Sequence, residues 1–163
     1  MTRMANLSPA NWNVLVEAGP AIAFAVASAA GSPRQSVHEI DAFLRFVSES
    51  TAAEDRTTFL GELVWELADR LAAGWPIVSG DAFMEGVEHA RRAGAILGAV
   101  VDPADAVPVR DWYRAAAQRV AEAVREGGRV GVGGPPVSES ETATLDTIAD
   151  ALGSNQRSPE DLS

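Results

Sequence analysis

The chain has 163 residues, 47% of them hydrophobic, which fits one globular domain. Its formal net charge of −10 at pH 7 disfavours nucleic acids and anionic membranes as partners. It contains no lysine and no cysteine, which excludes Schiff-base chemistry, thiolate nucleophiles, thiolate metal sites, disulfides and a phosphate-loop lysine.

Helix signals begin close to the N-terminus. Ser8 followed by Pro9 predicts a helix start, and Gly19-Pro20 predicts that this helix breaks or kinks. The uncharged stretch 18–33 is too short and too rich in alanine to predict a membrane span. Glu17 directly before it argues against a signal peptide, so we expect a cytoplasmic protein.

Two capping-box patterns predict the next helix starts, Ser36 with Glu39 and Thr51 with Glu54. The cleanest apolar stripe of the chain follows at helical spacing and consists of Leu60, Leu63, Val64, Leu67 and Leu71. Trp65 lies off this stripe. We therefore expect Trp65 to cover a second helix or to belong to an exposed apolar patch used for association.

The second half of the chain continues the helical pattern. Gly74 ends one helix, Ser79 or Asp81 opens another, and Asp102-Pro103 repeats the signal of a cap followed by proline. Ser138 begins a further capping box before the last helix, which Gly153 should end.

No segment alternates apolar and polar residues with a period of two over a convincing length, so we predict no significant sheet. The sequence predicts an all-α fold, a compact bundle of six or seven helices in a single domain over residues 1–153. Residues 154–163 are polar and are expected to form a flexible tail.

One predicted helix carries small residues at strict four-residue spacing. This small-residue stripe consists of Gly86, Ala90, Gly94 and Gly98. Each glycine inside a helix costs about 1 kcal/mol relative to alanine, so the stripe indicates close approach of another backbone. The complementary surface would consist of Ala21, Ala25 and Ala29. We expect the two helices to pack within the chain, with a dimer seam or a small-ligand groove as the open alternatives.

A glycine-rich segment over residues 127–136 includes Gly131, Gly133 and Gly134. It does not match a phosphate-binding loop, because no Gly-Lys-Ser/Thr follows and Pro136 stands where a third glycine belongs. We expect a connector, or a contact site for a protein partner.

Glu85 and His89 are candidate metal ligands, because they lie one turn apart on the same helical face. The Glu-x-x-His motif of di-iron bundles is incomplete, since Gly86 stands at the glutamate position. We therefore expect a solvated or ion-paired face here, with a metal site at Glu85 and His89 as the alternative, and we expect no cofactor. A Gly-x-Ser-x-Gly nucleophile elbow does not occur in the sequence, and the balance is against an enzyme.

The closing segment, residues 137–153, resembles the last helix of a family of uncharacterised bacterial all-helical proteins. Members combine it with an N-terminal helix similar to residues 18–27 and a stretch similar to residues 120–128. The closing segment is more distantly similar to tellurite-resistance TerB-like domains, which are all-helical and of similar length. That resemblance implies metal binding by acidic residues at Asp-Gly turns, but Ala30-Gly31 and Gly133-Gly134 stand at the comparable turns and lack the acids.

These observations favour a non-catalytic helical protein that acts through self-association or protein–protein interaction. Its expected contacts are the small-residue stripe, Trp65 and the glycine-rich segment, and its expected partner is another protein or further copies of itself. The alternative function is a metal- or small-ligand-binding helical domain of the TerB-like kind, associated with stress resistance.

Overall fold

The structure is a computed structural model. It describes residues 1–29, 33–74, 80–127 and 139–153. For residues 33–36 and 124–127 it describes the backbone alone. Within these ranges the chain forms six α-helices and no β-strand, which confirms the predicted all-α class. After a 3₁₀ turn at Met4–Asn6, the helices are α1 (Pro9–Ala29), α2 (Pro33–Ala53), α3 (Phe59–Ala73), α4 (Ala82–Ala99), α5 (Pro103–Gly127) and α6 (Glu139–Ala151).

The first helix lies at the centre of the bundle. It packs against each of the other five helices, and most extensively against α4. Leu15, Ile22 and Val26 are among its fully buried side chains, and a helix that is apolar on most sides belongs in a core. Among the described helices, α1 is the one long and apolar enough to cross a bilayer. Because 67% of its most apolar window is buried in the fold, this is a weak signal that core helices also give.

Helix α1 continues through Gly19 and Pro20, so the break predicted at these residues is wrong. Pro20 cannot donate a hydrogen bond to the carbonyl of Val16, and an interior proline ordinarily costs a helix about 3 kcal/mol. Both residues are buried, and a Cβ on Gly19 would lie 3.3 Å from Leu67 and 3.4 Å from Trp112. Packing against α3 and α5 therefore outweighs the local preference for a break.

Several predicted helix boundaries are confirmed. Asp81 caps α4, where its side chain accepts a hydrogen bond from the N–H of Met84 at 3.1 Å. Pro103 is the first residue of α5. Gly74 and Gly153 follow the ends of α3 and α6 with φ angles of 155° and 81°, which glycine adopts without a Cβ penalty.

Both capping boxes predicted in the first half of the chain are wrong. Helix α2 is uninterrupted, so Glu39 lies inside it and Thr51 lies in its last turn. The Thr51 hydroxyl donates to the carbonyl of Ser48 at 2.8 Å. Helix α3 is instead capped by Thr58, whose hydroxyl accepts a hydrogen bond from the N–H of Gly61 at 2.9 Å.

Two buried hydrogen bonds fix α5 against earlier helices. The Tyr113 hydroxyl donates to the carbonyl of Leu15 in α1 at 2.6 Å, and the Trp112 indole N–H donates to the hydroxyl of Ser50 in α2 at 2.9 Å. Burial raises the pKa of Tyr113, so the phenol keeps the proton that it donates. These bonds hold α1, α2 and α5 in one register around a shared apolar core.

Candidate functional site

The inner face of α2 carries an acid at a core position. Glu39, Phe43 and Val47 follow one another at four-residue spacing, all three are buried, and Glu39 is 0% exposed. Within the described part of the chain, neither carboxyl oxygen of Glu39 has a hydrogen-bond partner. Because an unpartnered carboxylate is costly to bury, this position favours the protonated, neutral acid.

A second acid acts on Glu39 from α6. Glu141, Thr144 and Ile148 form the buried face of α6, and the negative charge of Glu141 reaches Glu39. Burial, followed by the charge of Glu141, raises the pKa of Glu39 from 4.5 to about 7. Glu39 therefore gains or loses a proton near neutral pH.

Sequence reasoning missed this buried acid pair. Ser36 and Glu39 matched a capping box, and that pattern placed Glu39 at a helix start rather than in the core. The spacing of Glu39 to Phe43 and Val47 is the signal that could have found it, since all three fall on one helical face. The chemistry that this geometry supports is reversible proton binding inside the bundle.

The first half of the small-residue stripe packs against α1. A Cβ on Gly86 would lie 2.4 Å from the Cβ of Ala25 and 2.6 Å from the carbonyl oxygen of Ala21. The predicted contact with the alanines of α1 is therefore confirmed at Gly86. Ala90, one turn later, is 0% exposed. Both positions are covered within one chain, by the central helix at Gly86 and by the core at Ala90.

The second half of the small-residue stripe meets other neighbours. A Cβ on Gly94 would lie 2.7 Å from the carbonyl oxygen of Leu152, so glycine here lets the end of α6 approach α4. The Arg110 guanidinium donates to the same Leu152 carbonyl at 3.1 Å. Gly98 is exposed, and the nearest atom to a Cβ there would be a guanidinium nitrogen of Arg110 at 3.5 Å.

Trp65 is half-buried on α3. The Arg56 guanidinium lies 3.4 Å from the centre of the Trp65 ring, in a cation–π contact. The indole N–H is buried and has no hydrogen-bond partner among the residues that the structure describes. Arg56 thus covers one face of the ring and reduces the apolar area that Trp65 offers to another protein.

His89 contacts Glu85 through the backbone rather than through the carboxylate. Its Nδ1 lies 2.9 Å from the Glu85 carbonyl oxygen, and with the proton on Nδ1 this nitrogen donates. The Nε2 atom then has a lone pair and faces Glu17 of α1, whose carboxylate oxygen is 3.9 Å away. Among the residues that the structure describes, no three His, Asp or Glu side chains are grouped as metal ligands.

The glycine-rich segment contains three of the expected contact residues. Gly131, Gly133 and Gly134 lie outside the described residues, and the contact expected there stays a prediction.

A second side of α2 exposes apolar side chains to solvent. Val37 and Leu44 are 59% and 39% exposed, and Ile40 lies between them, partly buried. Asp41 and Arg45 border these three residues, and both are exposed without an ion pair or hydrogen bond in the described part of the chain. We call these five residues the α2 outer face.

No protein-family model matches the chain, and searches of curated proteins and of solved structures gave no significant match. The function must therefore be argued from the surfaces and side chains described above.

Proposed function

We propose that this chain is a non-catalytic helical protein that acts by self-association or by binding another protein. The observation that carries this proposal is the α2 outer face. Val37, Ile40 and Leu44 align along one side of the helix at spacings of three and four residues, and Val37 and Leu44 are both exposed. Isolated exposed apolar residues are common, but a continuous apolar stripe is a feature of interaction surfaces.

The other proposed contacts support association less strongly. Gly86 and Ala90 are already covered within the chain, and Arg56 covers part of Trp65. Gly98 is exposed but has no side chain to bury. The α2 outer face instead exposes the apolar side chains of Val37 and Leu44, and burying apolar area contributes about 25 cal/mol per Å² to association.

If the chain associates, its mass in solution should exceed that of the monomer. The chain alone has a mass of 17.1 kDa, and we expect sedimentation velocity to show a larger species that grows with concentration. In an extract of the cells that produce it, the untagged chain should migrate above its monomer mass. A chain that stays monomeric at every concentration, and also migrates as a monomer in the extract, would contradict the proposal.

A second candidate function is weak binding of a divalent metal. The observation that favours it is the pair His89 and Glu17, whose Nε2 and carboxylate oxygen face each other across α4 and α1 at 3.9 Å. An imidazole nitrogen and a carboxylate oxygen are ligands that Zn²⁺ accepts, with water completing the shell. Glu85 would act on the site through its carbonyl contact with Nδ1, which orients the ring.

Zinc should then raise the melting temperature of the protein. We expect Zn²⁺ to stabilise the wild type and Glu85→Gln, because the backbone carbonyl of residue 85 remains. His89→Ala and Glu17→Gln should lose the effect, because each removes one ligand. Scanning fluorimetry with and without Zn²⁺ measures this. No shift in the wild type, or an unchanged shift in His89→Ala, would remove the candidate.

A further inference from the structure

We propose that the α2 outer face is a homodimer interface, in which the α2 helices of two copies pack antiparallel about a twofold axis. This inference rests on the proposed function and narrows it to one surface and one partner. The apolar stripe of Val37, Ile40 and Leu44 supplies the centre of the contact, and Asp41 and Arg45 supply its edge.

The arrangement of the charges selects a second copy as the partner. Asp41 and Arg45 lie one helical turn apart on the same edge of the stripe, carry opposite charges and have no partner in the described part of the chain. Two other exposed charges on α5 and α2, Arg119 and Glu49, are by contrast paired with each other at 3.0 Å. When two copies of α2 run antiparallel, the positive charge on this edge of one copy meets the negative charge on the same edge of the other copy. Such an edge is therefore complementary to itself.

A twofold axis perpendicular to two antiparallel helices brings the same edges together. Asp41 of one copy then lies opposite Arg45 of the second copy, and Arg45 lies opposite Asp41 of the second copy. Such an interface is isologous, with each contact occurring twice. In the same register Leu44 of each copy approaches Ile40 and Leu44 of the other, each offset by about 3 Å along the helix axis, and Val37 lies toward the end of the contact.

The net charge of the chain does not prevent this contact. The total of −10 repels a second copy at long range, but the α2 outer face is locally neutral, with one acid and one base. At physiological salt, repulsion between charges farther apart than about 8 Å is largely screened. One helix pair buries less than the roughly 1,600 Å² of a standard interface, so we expect a dimer that dissociates on dilution.

Charge exchange tests the interface directly. In Asp41→Arg, four positive charges meet at the twofold axis, and in Arg45→Glu four negative charges meet. We expect each variant alone to dimerise about tenfold more weakly than the wild type. Mixed together, the two variants should form a heterodimer at close to wild-type strength, because opposite charges again face each other. Sedimentation equilibrium gives the dimer dissociation constants of the two variants and of their mixture.

Matched controls come from exposed charges on other faces. Arg92→Glu on α4 and Asp146→Arg on α6 make the same changes of charge and should leave dimerisation unchanged. Far-ultraviolet circular dichroism checks that every variant keeps the helical content of the wild type. Equal weakening by the controls would mean that net charge, rather than the α2 outer face, governs the equilibrium, and would overturn the inference.

The remaining outcomes separate this inference from the proposed function. If neither α2 variant changes the dimerisation constant, or if the mixture dimerises no more tightly than each variant alone, the α2 interface is wrong. The proposed self-association remains in that case. If the wild-type chain is monomeric when pure but belongs to a larger complex in its cell extract, its partner is another protein. The homodimer is then wrong, and the proposed protein binding remains. A monomer in both settings overturns the two proposals together.

Discussion

Replacing Gly86 with alanine should destabilise the fold by about 2–3 kcal/mol, although alanine is the better helix former. The new methyl group would stand 2.4 Å from the Cβ of Ala25 and 2.6 Å from the Ala21 carbonyl oxygen. Neither atom is at the end of a flexible side chain, so α1 and α4 would have to move apart. Because α1 is the central helix, that movement disturbs its packing against the other helices as well. Urea denaturation, followed by circular dichroism, gives the free energy of unfolding.

Gly98→Ala is the matched control for Gly86→Ala, on the same helix and with the opposite expected sign. A Cβ at Gly98 would meet only a guanidinium nitrogen of Arg110, at an ordinary contact distance of 3.5 Å. The gain in helix propensity then remains, and it should stabilise the fold by about 0.5 kcal/mol near the end of the helix. If the two substitutions change the free energy of unfolding similarly, helix propensity rather than contact with α1 determines the effect of Gly86→Ala.

We expect the free energy of unfolding of the wild type to fall as pH rises, and we expect Glu39→Gln to abolish this decrease. In the unfolded chain the carboxyl has its ordinary pKa of 4.5, and in the folded chain burial and Glu141 raise this pKa to about 7. Between these values the unfolded chain releases the proton while the folded chain keeps it. The free energy of unfolding therefore falls as pH rises from 4.5 to 7, by roughly 3 kcal/mol in total, and the loss persists above pH 7.

Glutamine has the size of glutamic acid but cannot ionise. Above pH 7 we expect Glu39→Gln to be more stable than the wild type, and below pH 4.5 we expect the two to be similar. Melting temperatures measured from pH 4 to pH 9 (about the range over which Glu39 changes state) provide the comparison. Asp146→Asn is the control, because Asp146 is exposed on α6. If wild type and Glu39→Gln show parallel pH profiles, Glu39 does not hold a proton in the folded chain.

Local signals predicted much of this fold. Helix identity followed from apolar spacing, and starts such as Asp81 followed from the hydrogen bond that a cap side chain accepts. The contact between Gly86 and the alanines of α1 was also predictable, because small residues at four-residue spacing on two helices indicate close approach. Each of these signals lies within a few turns of one helix, even where the contact that it predicts joins two helices.

Failures occurred where distant packing outweighed local preference. Gly19-Pro20 should break a helix, but Gly19 packs against Leu67 of α3 and Trp112 of α5, which lie far away in the sequence, and α1 continues. Glu39 matched a helix-start pattern, but the chain buries it against the core, where the charge of Glu141 reaches it from more than a hundred residues later. A short motif carries no information on such neighbours, and so the buried acid pair was not found from the sequence.

The central place of α1 has a consequence for synthesis on the ribosome. Helix α1 is translated before α4, α5 and α6, and it contacts all three. Its apolar sides, which include Ile22 and Val26, thus remain without their most extensive cover until α4 has emerged. An incomplete nascent chain exposes this helix to chaperones and to aggregation, and productive folding begins in earnest only after translation of α4 and α5.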